Sequence, residues 1–229
     1  MIIEGIATNL KDVENLNSYG VDRIELCESM DQDGLTPDLE LVRRAVLCSD
    51  IPINVMVRLD DHSFHYNSEV IEKMAEQIEV IKSHGVNGIV IGALTTNHMI
   101  DTEALEQLLA PADEMEVTFH KAFDEVEDQS EALETLSQYP QIKTVLTSGG
   151  KGSATDNIEQ LLRLTEKADG TGITIMPGGG LKVDNIDRIF QSLKPGSMHF
   201  GTGIRHNGSY DHPVSKEKIL LIKELVSDG

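Results

Sequence analysis

The sequence predicts a single (β/α)8 barrel spanning residues 1–229, and three observations lead there. Eight short apolar runs, starting near Ile2, Arg23, Ile53, Gly88, Glu116, Lys143, Ile173 and Ser197, recur about every 28 residues. Each run is followed by a helix-like stretch, the alternation expected of a parallel sheet wrapped by helices. The length of 229 residues suits one barrel with short loops, and no Pro/Gly/Ser-rich linker or long charge block divides the chain.

The elements follow in order. Ile2–Ile6 reads as the first strand, with a helix over Leu10–Tyr19 that Gly20 ends. Arg23–Cys27 is the second strand. Thr36 is expected to cap the second helix, with Pro37 in its first turn and Glu40 closing the box. Ile53–Arg58 is the third strand; a polar loop, Asp60–Tyr66, leads to a helix over Ser68–His84. The remaining strands are expected at Gly88–Gly92, Glu116–His120, Thr144–Leu146, Ile173–Met176 and Met198–Phe200. Their helices follow at Thr102–Leu109, Ser130–Gln138, Asn157–Ala168, Val183–Leu193 and Ser215–Val226.

Strand parity sharpens this reading. Successive side chains of a barrel strand alternate between the helices outside and the lumen inside. With Ile24, Leu26, Ile53, Val55, Val57, Val117 and Phe119 outside, the lumen receives Glu4, Glu25, Cys27, Asn54, Met56, Arg58, Thr118, His120, Thr174, Met176 and His199. Barrel interiors are mostly branched and apolar, so this polar set calls for internal pairing. Arg58 is expected to pair with Glu25 on the adjacent strand, and with Glu4. The network either organises the barrel or floors a polar pocket.

Composition removes several classes of function. The net charge of −20, from 39 acidic and 19 basic residues, opposes binding to nucleic acid or to anionic membrane. No run approaches the roughly 18 apolar residues of a membrane span, and MIIEGIA lacks the basic and apolar regions of a signal peptide. Cys27 and Cys48 form no close pair, so a reducing, cytoplasmic setting is expected.

Three segments could carry chemistry. The stretches Ser148-Gly149-Gly150, Gly178-Gly179-Gly180 and Gly201-Thr202-Gly203 follow the last three strands. Barrels often hold phosphate on the last two of these loops, because glycine lets main-chain N–H groups approach an anion. His120 is placed to act as a general base or a metal ligand, with Asp124 orienting it, or simply as a hydrogen-bonded lumen histidine. Lys121 points away from the lumen by parity. Cys27, Met56, His120, Met176 and His199 are ligand types that suit Cu(I), though no short spacing gathers them. His62, His65, His98, His206 and His212 lie in loops on one face and read either as exposed histidines or as weak divalent-ion ligands.

Six motifs together resemble one family. RIELC (Arg23–Cys27), GLTP (Gly34–Pro37), VMVR (Val55–Arg58), FHKAFD (Phe119–Asp124), LTSGG (Leu146–Gly150) and MPGGG (Met176–Gly180) match the CutC copper homeostasis proteins in order and spacing over essentially the whole chain. The resemblance implies a cytoplasmic (β/α)8 barrel, often a homo-oligomer, associated with copper tolerance. It implies Cys27 as the Cu(I) ligand candidate, in a pocket lined by Glu25, Arg58, His120, Asp124 and the glycine loops. The chain departs from the family at three places. Leu59-Asp60-Asp61-His62 replaces a Pro-Arg-Gly-Gly-like turn, Lys121 stands where arginine is common, and His199-Phe200-Gly201-Thr202 replaces a Ser-Ala ending.

Two functions follow as expectations. One is a cytoplasmic copper homeostasis protein that holds Cu(I) through Cys27. The alternative is a barrel enzyme acting on a small phosphorylated or carboxylated metabolite by proton transfer, with His120, Glu25, Arg58 and Asp124 around the substrate.

Overall fold

The computed structural model describes residues 1–227. Eight strands alternate with eight helices: β1 (Ile2–Ala7), α1 (Leu10–Tyr19), β2 (Arg23–Leu26), α2 (Leu39–Cys48), β3 (Ile53–Met56), α3 (Ser68–Ser83), β4 (Gly88–Ile91), α4 (Thr102–Ala112), β5 (Glu116–Phe119), α5 (Gln129–Leu136), β6 (Ile142–Thr147), α6 (Ile158–Ala168), β7 (Thr174–Pro177), α7 (Val183–Leu193), β8 (Ser197–Phe200) and α8 (Lys216–Ser227). Every registered strand pair is parallel, as a chain that returns through a helix after each strand requires. The order is β7-β6-β5-β4-β3-β2-β1-β8. Strands β7 and β8 pack together at the remaining seam. This is a (β/α)8 barrel.

The parity argument explains how the barrel fills. Ile24, Leu26, Val55, Ile89, Val117 and Phe119 point outward into the main core, where the helices cover them. The lumen is divided. Its apolar part is a small cluster of Ile6, Cys27, Met56 and Val90, with Met30 and Tyr210 packed on it. The rest is polar: Glu4, Arg23, Glu25, Asn54, His120 and His199 are all buried. Each helix buries one face against the barrel.

One helix start differs from expectation. Asp38, not Thr36, caps α2, accepting from the N–H of Glu40 at 2.8 Å. Thr36 is engaged elsewhere, because its hydroxyl accepts from Arg58 N–H at 2.8 Å and donates to Arg58 O at 3.0 Å. That clasp ties the loop after β2 to the end of β3 and leaves Pro37 outside the helix.

A second clasp holds the loop after β8. Arg205 is 1% exposed. Its guanidinium donates to Ile6 O at 3.1 Å and His212 O at 3.0 Å, and Tyr210 stacks on it at 4.7 Å.

Candidate functional site

The C-terminal ends of the strands open into one cavity of about 1630 Å³. Its floor is built by β1, β2 and β8. His199 Nδ1 lies 2.8 Å from Glu4 Oε1, and Arg23 pairs with the other oxygen of the same carboxylate. Arg23 also reaches Met176 Sδ at 3.5 Å. Glu25 Oε2 lies 3.7 Å from His199 Nε2. Burial disfavours charge on Glu4, but the His199 hydrogen bond and the Arg23 charge outweigh it and hold the carboxyl below its usual range. Burial pushes Glu25 up to about 7, and the opposing pull of His199 is too weak to restore it. Burial disfavours the imidazolium of His199 as well, yet the carboxylates of Glu25 and Glu4 raise it.

The expected Arg58–Glu25 pair does not form. Arg23, two residues before Glu25 on the same strand and therefore on the same face, takes the carboxylate partner role toward Glu4. Arg58 lies just beyond β3, where the loop carbonyls come within reach. It donates to Gln32 O at 2.9 Å, Gly34 O at 3.4 Å and Asp61 O at 3.3 Å, and its guanidinium carbon sits 4.9 Å over the Phe64 ring. Phe64 also packs against His120 at 5.0 Å between ring centroids.

His120 directly follows β5, with its ring in the cavity wall. Its Nδ1 accepts from Ala122 N–H at 3.2 Å. A neutral ring bonded in this way carries its proton on Nε2, and Nε2 has no partner among the described residues. Burial, reinforced by the Arg58 charge, lowers the His120 pKa to about 3. His120 is therefore a neutral donor toward the cavity.

Asp124 does not orient His120 as expected. A 3-10 turn over Lys121–Glu125 carries it toward the β6 loop instead. There it accepts from Ser148 N–H at 3.0 Å, Ser148 Oγ at 2.6 Å, Gly150 N–H at 3.2 Å and the Thr147 hydroxyl. The same turn brings Lys121 back to the cavity, against the parity reading. Its Nζ donates to Ser148 Oγ at 2.9 Å and pairs with Asp124 at 2.9 Å.

The three glycine loops have different roles. Around β6, the anion is the chain's own Asp124, and Gly149 N–H is spent on Thr147 Oγ1 at 2.8 Å. Ser148, Gly149 and Gly150 thus form a closed loop, not a free anion cradle. Gly178 N–H donates to Thr147 O at 3.0 Å. Gly201 makes room for Tyr210, whose hydroxyl would lie 2.3 Å from a Cβ at that position. Gly179, Gly180 and Gly203 line the mouth of the cavity.

Three groups of side chains among the described residues have metal-ligand chemistry; one of them, Asp60, Asp61 and His62, lies in the loop after β3, where Asp61 and His62 are exposed. Glu4, Glu25 and His199 offer three ligand atoms within 4.8 Å of one another. Arg23 already neutralises that set, which opposes a divalent cation there. The soft set is Cys27 and Met30. Cys27 Sγ is fully buried and lies 3.2 Å from Met30 Sδ, and both residues line the cavity. Burial, with Glu25 nearby, pushes the thiol well above its ordinary pKa. These two sulfurs fit Cu(I), a soft ion that tolerates low coordination numbers.

The CutC family model matches residues 1–203. The chain belongs to the CutC family. A family protein CutC from Glaesserella parasuis is 36% identical over 200 residues, spanning 87% of this chain and 82% of that protein. The Homo sapiens copper homeostasis protein cutC homolog is 36% identical over 198 residues, spanning 86% of this chain and 72% of that one. A crystal structure of a CutC protein from Streptococcus agalactiae superposes with a TM-score of 0.82 at 31% identity, covering 88% of this chain and 98% of that chain. A phosphoribosyl anthranilate isomerase from Thermococcus kodakaraensis shares the fold at 17% identity, with a TM-score of 0.65. Within this CutC barrel, the sequence did not single out Arg23, Met30, Phe64, Tyr210 or Arg205. Parity reaches Arg23 directly, since positions 23, 25 and 27 share a face. The other four sit on loops, where no period applies. No helix among the described residues is long and apolar enough to cross a membrane.

Proposed function

We propose that this chain is a copper homeostasis protein of the CutC type that takes Cu(I) as cargo at Cys27 and Met30. The observation that carries this reading is the 3.2 Å approach of the two sulfurs at the cavity wall. Membership of a family with relatives described as copper homeostasis proteins supports it. The buried thiol holds its proton at neutral pH, so copper has to displace that proton and uptake becomes pH-dependent. The reading includes a cytoplasmic location and a homo-oligomeric state; sedimentation at several protein concentrations checks the latter. Anaerobic Cu(I) titration against a competing chelator tests the site on wild type, Cys27→Ala and Met30→Leu. Stoichiometric binding that weakens at least tenfold in each variant is expected. Binding equal to that of a control protein, or unchanged in Cys27→Ala, overturns the reading.

One observation favours a second function, a barrel enzyme working on a small phosphorylated or carboxylated metabolite. Glu25 Oε1, Arg58 Nε and His120 Nε2 are buried without a hydrogen-bond partner, and all three residues line the cavity. A polar ligand relieves the cost of leaving such groups unpaired. Turnover of such a metabolite that is lost in His120→Gln supports this function, and no turnover across a panel of them opposes it.

A further inference from the structure

Main-chain donors at the mouth of the cavity are left without acceptors. Gly178 N–H and Lys182 N–H are both satisfied internally, by Thr147 O and Asn185 Oδ1. Between them, the N–H groups of Gly179 and Gly180 donate to no acceptor among the described residues. Beyond β8 the same holds for Thr202 and Gly203. All four residues line the cavity. The two loops touch: a Cβ on Gly203 would lie 1.8 Å from Leu181 O. The four donors therefore belong to one small region.

A cation stands beside them. Lys121 Nζ would lie 3.1 Å from a Cβ on Gly179, and Lys151 lines the same mouth. Asp124 shares the Lys121 charge, but that carboxylate is turned into the β6 loop and its oxygens are occupied by Ser148, Gly150 and Thr147. Both Gly179 and Gly180 have positive φ, +92° and +75°. Glycine tolerates that conformation and leaves no side chain over the N–H groups. Lys121 and Lys151 supply positive charge at this mouth, whose lining also holds Asp33, Glu125 and Glu127.

The interior of the cavity gives a second, independent indication of a ligand. Glu25, Arg58 and His120 are 2%, 5% and 3% exposed, and each keeps one polar atom unpartnered. Arg58 and His120 supply donors, and Glu25 supplies an acceptor.

We propose that the loops after β7 and β8 bind the phosphate group of a small phosphate monoester through the N–H groups of Gly179, Gly180, Thr202 and Gly203, with Lys121 as counter-charge. The oxygen-bearing body of the ligand extends toward His120, Arg58 and Glu25. This rests on the second reading above and names the ligand class for it. No α-helix N-terminus supplies these donors: Gly179 and Gly180 lie in the loop before α7, and Thr202 and Gly203 open a three-residue 3-10 turn.

The test is a titration of ¹⁵N-labelled protein with inorganic phosphate, then with glycerol phosphate, and with chloride at matched ionic strength. Saturable shifts centred on the four amides are expected with both phosphates. Affinity should fall at least tenfold in Lys121→Met, recover in Lys121→Arg, and stay unchanged in Lys82→Met at the far end of α3. Shifts that chloride reproduces, that miss the four amides or that ignore Lys121→Met overturn the proposal. A further titration with lactate, a small carboxylate, separates the two possible failures. Shifts at His120 with lactate, but none at the loops with either phosphate, overturn the phosphate site and leave the second reading standing. Silence everywhere overturns both.

Discussion

Arg205 Nη2 donates to Asp12 Oδ2 at 2.6 Å in a position where both side chains are almost completely buried. The pair joins the start of α1 to the loop after β8. Removing one member leaves the other charge uncompensated in a low-dielectric setting. Asp12→Ala is expected to cost about 3–5 kcal/mol of folding stability. Denaturant unfolding checks this, and a loss below 1 kcal/mol would show that water reaches the site.

Gly203→Ala is expected to be more damaging than its size suggests. The added carbon meets the Leu181 carbonyl oxygen at 1.8 Å, and main chain cannot swing aside as a flexible side chain can. The loops after β7 and β8 must part to admit it. A melting temperature several degrees below wild type is expected, and an unshifted melt would contradict the contact.

Asp124→Asn tests the closed β6 loop. The neutral side chain keeps the shape but replaces one acceptor oxygen with a donor facing Ser148 and Gly150 N–H groups. A loss of about 1–3 kcal/mol is expected. Amide exchange at Ser148 and Gly150 should quicken; unchanged exchange would place their protection elsewhere.

The two lumen histidines should be shifted in opposite directions. His199 is raised above its model-peptide value of 6.5, and His120 is lowered to about 3. For His120 the unfolded chain takes up a proton near pH 6.5 while the folded ring does not. Its contribution is therefore complete above pH 6.5 and is lost as the pH falls toward 3. Ring resonances should show His120 neutral at pH 5. His120→Gln should reduce the acid-side slope of stability by up to about 1.4 kcal/mol per pH unit. A His120 ring that titrates near 6.5 would refute its burial.

Much of this was readable from the chain, and the reasons for success and failure are physical. A period of two fixes which side of a strand faces the lumen, so Glu4, Glu25, Cys27 and His199 fall where alternation puts them. Pairing partners are less accessible to that logic. Arg58 and Arg23 both face inward, but Arg58 stands past the end of β3 and meets the carbonyls of Gln32 and Gly34. Lys121 escaped because β5 stops at Phe119 and the following turn rotates the next residues off the strand's alternation. The glycine motifs marked the correct end of the barrel. Which of their N–H groups are spent internally depends on Asp124 and Thr147, and neighbours distant in sequence leave no local signal.

The seam between β7 and β8 has a mechanical consequence. Seven of the eight strand junctions carry a registered ladder, whereas β7 and β8 lie side by side without one. The hoop is a bracelet with its opening under Gly179 and Gly203. Anything that grips both rims fastens the bracelet, so occupancy at the mouth should slow deuterium uptake in the main chain of β7 and β8 ahead of every other strand.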